Sequence, residues 1–276
     1  VLLFMAIFGA AIAPYRFEQG TIPLLVSIPH DGQHVPDEIA ARMTGSAREI
    51  PDTDWHVQRL YDFAGELGAG VLAATHSRYV VDLNRDPVGQ ALYPGAENTE
   101  ILPITMFDRE PIYLAGEAPD ASEIAARVET HWRPYHDRLA AEIDRLRARF
   151  GFAVVFDAHS IRSEVPRFFD GRLPDLNFGT ASGTSTDPRL AARAFTVLDS
   201  ADGYSAILDG RFTGGYITRH YGAPSEDVHT LQLELSQRTY MNEPHPFDFR
   251  PDLAGSLVPV LRRLIEEVIS WTQERR

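Results

Sequence analysis

The chain has 276 residues with no cysteine and no lysine, so all 26 basic residues are arginine. Those absences exclude disulfides, thiolate nucleophiles and cysteine-held metal or iron–sulfur sites, and equally Schiff-base chemistry, pyridoxal phosphate anchoring and the Walker lysine. Acidic residues number 39, giving a formal charge of −13, which disfavours nucleic acid as a partner and leaves His, Asp, Glu, Ser, Tyr or a bound metal to carry any catalysis.

The chain opens on an apolar stretch, Val1 to Ala13, ending at Pro14. It lacks the basic n-region of a signal peptide and is too short to span a bilayer. A buried strand, a truncated leader and a mis-assigned start all fit it. Residues 1–14 are read as an apolar extension, residues 15–276 as one domain, and the protein as cytoplasmic with no membrane partner.

Pro23–Ile28 is a continuous apolar run, the pattern of a strand covered on both faces. It runs out into Pro29-His30-Asp31-Gly32, where a tight turn would hold the His30 imidazole in a crevice; the plain alternative is a turn histidine without function. His34 competes as a ligand but lies further from the strand end. Asp54–Leu67 reads as a helix. Asp52 and Thr53 suit its cap, whereas Asp54 and His56 are both in reach of a metal, with Asp54 preferred. Gly70–Ala74 and Tyr79–Leu83 follow as strands, the second bracketed by Arg78 and by Asp82-Leu83-Asn84-Arg85. Guanidinium forks suit bidentate carboxylate recognition, although most arginines of so acidic a chain serve surface ion pairs.

Beyond polar loops at 89–100 and 111–119, apolar residues recur three or four apart from Ile124 through Val128, Trp132, Tyr135, Leu139 and Ile143 to Leu146. This predicts a helix, capped by Asp120 or Ser122, ended by Gly151 and kinked at Pro134. The strand Ala153–Phe156 runs into Asp157-Ala158-His159, and alternation puts Asp157 and His159 on one face, where Asp157 can orient the imidazole from behind. Histidines at the ends of two neighbouring strands can converge on one ion. Two imidazoles and a carboxylate form a common three-ligand zinc set that leaves a position for water.

Leu176–Gly179, Tyr216–Arg219 and Thr230–Leu235 read as strands, Pro188–Leu198 as a helix, and Leu257, Leu261, Leu264 and Val268 as the stripe of another. Glu234 shares a face with Gln232, opposite its leucine neighbours. Burying that carboxylate is costly unless a cation or water partners it, and burial raises its pKa toward the range of a general base; a structural ion pair with an arginine is the alternative. No Gly-x-Ser-x-Gly elbow occurs, and Ser160 points away from His159, which sets serine catalysis aside. The alternation of strands and helices predicts an α/β fold with a central mixed, mainly parallel sheet and helices on both faces, its ligands lying beyond the carboxyl ends of the strands.

Seven segments carry a family resemblance. They are PLLVSIPHDG (23–32), IPDTDWHVQRLYDF (50–63), SRYVVDLNRDP (77–87), DAHSIRS (157–163), PDLNFGT (174–180), GGYITRHYG (214–222) and LQLELSQRTYM (231–241). In this order they resemble the N-formylglutamate amidohydrolase family, from about Tyr15 to Trp271. The resemblance implies a fold similar to zinc-dependent exopeptidases, a divalent metal with zinc foremost, and hydrolysis of N-formyl-L-glutamate to formate and L-glutamate, the last step of a histidine degradation route. By it, His30, Asp54 and His159 are metal ligands and Glu234 the base. On that mechanism Arg162 is the candidate oxyanion stabiliser, and Arg78, Arg85 and Arg219 with Asn84 are candidates to clamp a small anionic substrate. Two alternatives stand beside it: a related amidase or carboxypeptidase acting on other N-acyl amino acids or peptidoglycan peptides, and an inactive relative that binds carboxylates.

Overall fold

The apolar runs form a sheet whose central strands are buried along their whole length. The structure, a computed structural model, describes residues 12–275 apart from 91, 93, 94 and 96. Most of the apolar start, residues 1–11, therefore lies outside the described residues. In chain order the elements are β1 (Tyr15–Glu18), β2 (Leu24–Ile28), α1 (Asp37–Ala40), α2 (Val57–Leu60), α3 (Phe63–Glu66), β3 (Gly70–Ala74), α4 (Ala121–Arg127), α5 (Arg133–Phe150), β4 (Ala153–Ile161), β5 (Leu176–Gly179), α6 (Pro188–Asp199), β6 (Ala206–Leu208), α7 (Tyr216–Tyr221), β7 (Val228–Ser236) and α8 (Pro251–Glu274).

The strands make one seven-stranded mixed sheet in the order β1-β3-β2-β4-β7-β5-β6. β3, β2, β4 and β7 run parallel to one another, β1 is antiparallel to β3, and β5 is antiparallel to β7 while β6 runs parallel to β5. Strand alternation separates two cores. Leu24, Val26, Val154, Phe156, Leu231 and Leu233 pack with Leu257, Leu261 and Leu264 of α8 on one face. Leu25, Leu72, Ala153, Val155 and Val228 pack with Tyr135, Leu139 and Ile143 of α5 on the other. By the same parity Ser27, Asp157, His159, Gln232 and Glu234 belong to the α5 face. They lie where the strands run out beyond the helix, which is where the functional groups collect. Among the described residues, no helix is long and apolar enough to cross a membrane.

Four local expectations are corrected. Tyr79–Leu83 is a turn segment: Val80 N bonds the Ser77 carbonyl at 2.8 Å, and Tyr79 and Val80 are buried in a separate small core with Ile39, Met43 and Ile112. Its apolar character reflects that packing, not a place in the sheet. Tyr216–Arg219 opens the helix α7, with Arg219 N bonded to the Gly215 carbonyl. The Asp54–Leu67 helix is two short helices, because His56 enters α2 at a positive φ of 66° and Tyr61 ends it. The long helix from Ala121 to Phe150 is interrupted by a π segment at Val128–Trp132, just before Pro134. A proline cannot close an i→i−4 bond, and a π turn takes up the mismatch. Asp120 caps the start of α4 by accepting from Glu123 N at 2.9 Å, and Gly151 ends α5 at φ 85°.

Candidate active site

Three chain segments meet at the carboxyl ends of β2 and β4. His30 follows β2; Asp54 N donates to its carbonyl at 3.1 Å, drawing the 52–56 turn against the same strand end. His159 lies on β4, in register with Glu234 on β7. Asp54 Oδ2 is 3.7 Å from His30 Nδ1 and 3.2 Å from His159 Nδ1. The two imidazole centroids are 5.0 Å apart. One ligand atom from each of these three buried residues lies within 4.8 Å of the others, the only such group among the described residues.

The far nitrogens are held from behind. Asp82 Oδ1 is 2.7 Å from His30 Nε2, and Asp157 Oδ2 is 2.8 Å from His159 Nε2. An ionised carboxylate only accepts hydrogen bonds, so each Nε2–H donates outward and both Nδ1 atoms face Asp54, where a metal would replace the proton that His159 Nδ1 shares with Asp54 Oδ2. A carboxylate behind an imidazole is the arrangement that fixes which ring nitrogen faces a metal. Asp54 is itself oriented: Oδ2 accepts from Ser160 N at 3.0 Å and Oδ1 from Arg78 Nη1 at 3.3 Å.

The electrostatics call for positive charge. Burial would push Asp82 up, yet Arg85, His30 and Arg78 hold it well below the ordinary carboxylate value. Asp54, equally opposed by burial, is held low by His30, His159 and Arg78. His159 is driven well above its ordinary value by Asp157 and Asp54, although burial disfavours its charge. Asp54, Asp82 and Asp157 surround the two rings and hold positive charge there, which in the metal-free site is the proton on His159 and which a bound cation would replace. Two neutral imidazoles and a carboxylate suit zinc in number and type. The residues present fit such an ion.

Glu234 is 8% exposed, and its neighbours Leu233 and Leu235 face the α8 core. Burial pushes its carboxyl up to about 8, with His159 and Arg78 opposing and Asp54 and Asp157 adding to the rise. It opens on a cavity that His30, Asp54, His159 and Gln232 also line. Leu92, Phe107, Phe168 and Phe212 supply apolar wall. The mixture of polar and apolar lining suits a small polar molecule.

The remaining expected residues divide. Arg78, Asn84 and Arg85 line the cavity. Arg78 is buried and salt-bridged to Asp82 at 2.7 Å as well as to Asp54. Arg85 bonds Thr99 through Nε and Nη2 and the Asn84 carbonyl through Nη1. Arg162 and Arg219 are not brought into this cavity. Arg162 Nη2 sits 3.3 Å from Asp52 Oδ1, and its side chain lines a separate depression with Glu243 and His245. Arg219 is exposed on α7, bonded to the Gly214 carbonyl and Thr213 Oγ1. His34 packs against His76 with centroids 4.8 Å apart, and His56 Nε2 donates to the Phe247 carbonyl, so neither joins the cluster. Asp52 accepts from Tyr79 Oη at 2.6 Å and from Phe107 N rather than capping a helix. Asp82 and Gln232 were missing from the expected set. Asp82 carries the same signal as Asp157, an acid closing a buried apolar run.

The fold and this cluster define a mixed α/β protein with a buried imidazole–carboxylate centre at the carboxyl ends of its central strands. Residues 22–241 match the family model of N-formylglutamate amidohydrolase, and the chain belongs to that family. It is 52% identical to the N-formylglutamate deformylase of Pseudomonas aeruginosa over 94% of this chain and 97% of that protein. It is 50% identical to that of Pseudomonas putida over the same shares. Among solved structures, an N-formylglutamate amidohydrolase from Ralstonia eutropha JMP134 superposes with a TM-score of 0.81 at 24% identity, covering 95% of this chain and 99% of that one. A gene product of Agrobacterium tumefaciens gives a TM-score of 0.72 at 17% identity, covering 95% and 96%. At those identities the two structures speak for the fold.

Proposed function

We propose that the protein hydrolyses N-formyl-L-glutamate to formate and L-glutamate, with a divalent cation held by His30, Asp54 and His159 and with Glu234 as the base. The observation that carries this reading is the convergence of both Nδ1 atoms on Asp54, with Glu234 in register beside His159. The family membership and the names of the two Pseudomonas relatives support the substrate. Bound there, the cation supplies Lewis-acid polarisation of the formyl oxygen and makes water more acidic.

Glu234 takes one proton from the attacking water as oxygen bonds to the formyl carbon. It returns that proton to the amide nitrogen as the C–N bond breaks, releasing formate and the amine of glutamate. A carboxyl pushed up to about 8 holds a proton well enough to deliver it. Asp82 and Asp157 keep the imidazoles in one tautomer throughout. Arg85 is the guanidinium we assign to a substrate carboxylate, since it lines the cavity and lies 3.9 Å from Asp82, whereas Arg78 is tied to Asp82 at 2.7 Å and to Asp54. Phe107, Phe168 and Phe212 limit water around the reacting bond.

Formate release from N-formyl-glutamate, N-formyl-leucine and N-acetyl-glutamate tests this directly. Turnover should be confined to the first. Comparable turnover of N-formyl-leucine would remove the carboxylate recognition, and comparable turnover of N-acetyl-glutamate would remove the restriction to formyl. In the cell the reaction would close a histidine degradation route in the cytoplasm, and a gene deletion should then abolish formate release from histidine.

A further inference from the structure

We infer that Asn84 is a positioning residue that braces the two imidazole–carboxylate pairs against each other, and that it does not contact substrate. The inference rests on the metal reading above. Asn84 N donates to Asp82 Oδ1 at 2.9 Å, the same oxygen that lies 2.7 Å from His30 Nε2. Asn84 Nδ2 donates to Asp157 Oδ2 at 3.3 Å, the same oxygen that lies 2.8 Å from His159 Nε2. Nδ2 also sits 3.0 Å from His159 Nε2 itself. One residue thus touches both carboxylate oxygens that orient the two rings, although the rings come from different strands.

The amide is held at both ends and cannot swing. Its Oδ1 accepts from Ile217 N at 2.8 Å at the start of α7. Gly215 packs so tightly over it that an added Cβ would come within 2.1 Å of Nδ2. The backbone is pinned on either side: His136 Nε2 donates to the Leu83 carbonyl at 2.8 Å and Trp132 Nε1 to the Arg85 carbonyl at 3.1 Å. Asn84 is 4% exposed, and it lines the cavity with a side chain whose polar atoms already have partners. A residue in this position sets ring orientation, and losing such support typically weakens metal binding roughly 10–100-fold.

The test uses the full chain stripped with a chelator and titrated with Zn²⁺ against a chromophoric competitor, for wild type, Asn84→Ala and Asn84→Ser. Kinetics on N-formyl-glutamate are then run at saturating zinc. The expected result is a roughly 10–100-fold weaker zinc affinity in both variants, with KM at saturating zinc within about threefold of wild type. A raised KM with unchanged zinc affinity would make Asn84 a substrate contact and overturn the inference. A lowered melting temperature with unchanged zinc affinity, or failure of both variants to fold, would make it purely structural and overturn it equally. Wild type that takes up no zinc would sink the metal reading itself, and that outcome is seen before any variant is measured.

Discussion

Glu234→Gln separates catalysis from stability in opposite directions. Glutamine keeps the shape of the side chain and cannot take a proton, so kcat should fall about 10²–10⁴-fold while KM changes little. The same change should stabilise the metal-stripped protein. Burial pushes this carboxyl from 4.5 up to about 8, so the folded state holds the proton more tightly than the unfolded chain. Its contribution is fully present below pH 4.5 and is lost as pH rises through the folded value. At pH 7 that loss amounts to about 3–3.5 kcal/mol, and a glutamine, which does not titrate, is spared it. Metal-stripped Glu234→Gln should therefore melt roughly 6–14 °C above metal-stripped wild type at pH 7, the gap closing toward pH 4.5. Formate release and calorimetry across pH measure both. A variant keeping more than about a tenth of kcat, or melting below wild type at pH 7, would refute the reasoning.

Gly215→Ala drives a methyl into the Asn84 amide, and the overpacking should lower stability by about 1–3 kcal/mol and weaken zinc binding, as thermal melts and competition titration will show. Arg85→Met should raise KM for N-formyl-glutamate by about tenfold or more with a smaller change in kcat; an unchanged KM would place the substrate carboxylates elsewhere. The buried histidines should each cost stability in acid. Burial holds His136 down to about 3, and burial with its charged neighbours holds His76 and His229 down to about 4. These rings stay neutral in the fold but gain protons in the unfolded chain below about 6.5, so stability is full above that pH and drains away as pH falls toward the folded values. His136 alone should remove about 2–3 kcal/mol by pH 4.5. Urea melts in which the stability gap between wild type and His136→Gln does not change between pH 7 and 4.5 would contradict this.

The fold class was legible in the sequence from its alternating buried runs and helical stripes. Asp157, His159 and Glu234 lie on buried strands, where alternation predicts one face for Asp157 and His159 and the register sets Glu234 beside His159; His30 follows the end of β2, and the turn after that strand, not strand alternation, brings it in. The edge strands β1 and β6 were not legible because they are short and partly exposed, which erases the buried-run signal. Tyr79–Val81 and Tyr216–Thr218 misled for the opposite reason. Their β-branched and aromatic residues are buried by packing against helices and loops, so composition imitates a strand where the backbone turns or coils. The arginines divided by tertiary context: Arg162 and Arg219 have the same local look as Arg85, and only the chain's path assigns Arg85 to the cavity. Asn84 was legible as a polar group near the site, but its bonds to Asp82, Asp157 and Ile217 join segments far apart in sequence, which no local pattern encodes.

Elemental analysis of the purified protein, paired with formate release before and after chelation, tests the central arrangement most directly. His30, Asp54 and His159 sharing one ion predict about one divalent metal per chain, loss of turnover on chelation, and recovery on adding zinc. A metal-free protein that turns over N-formyl-glutamate at full rate in chelator would contradict it.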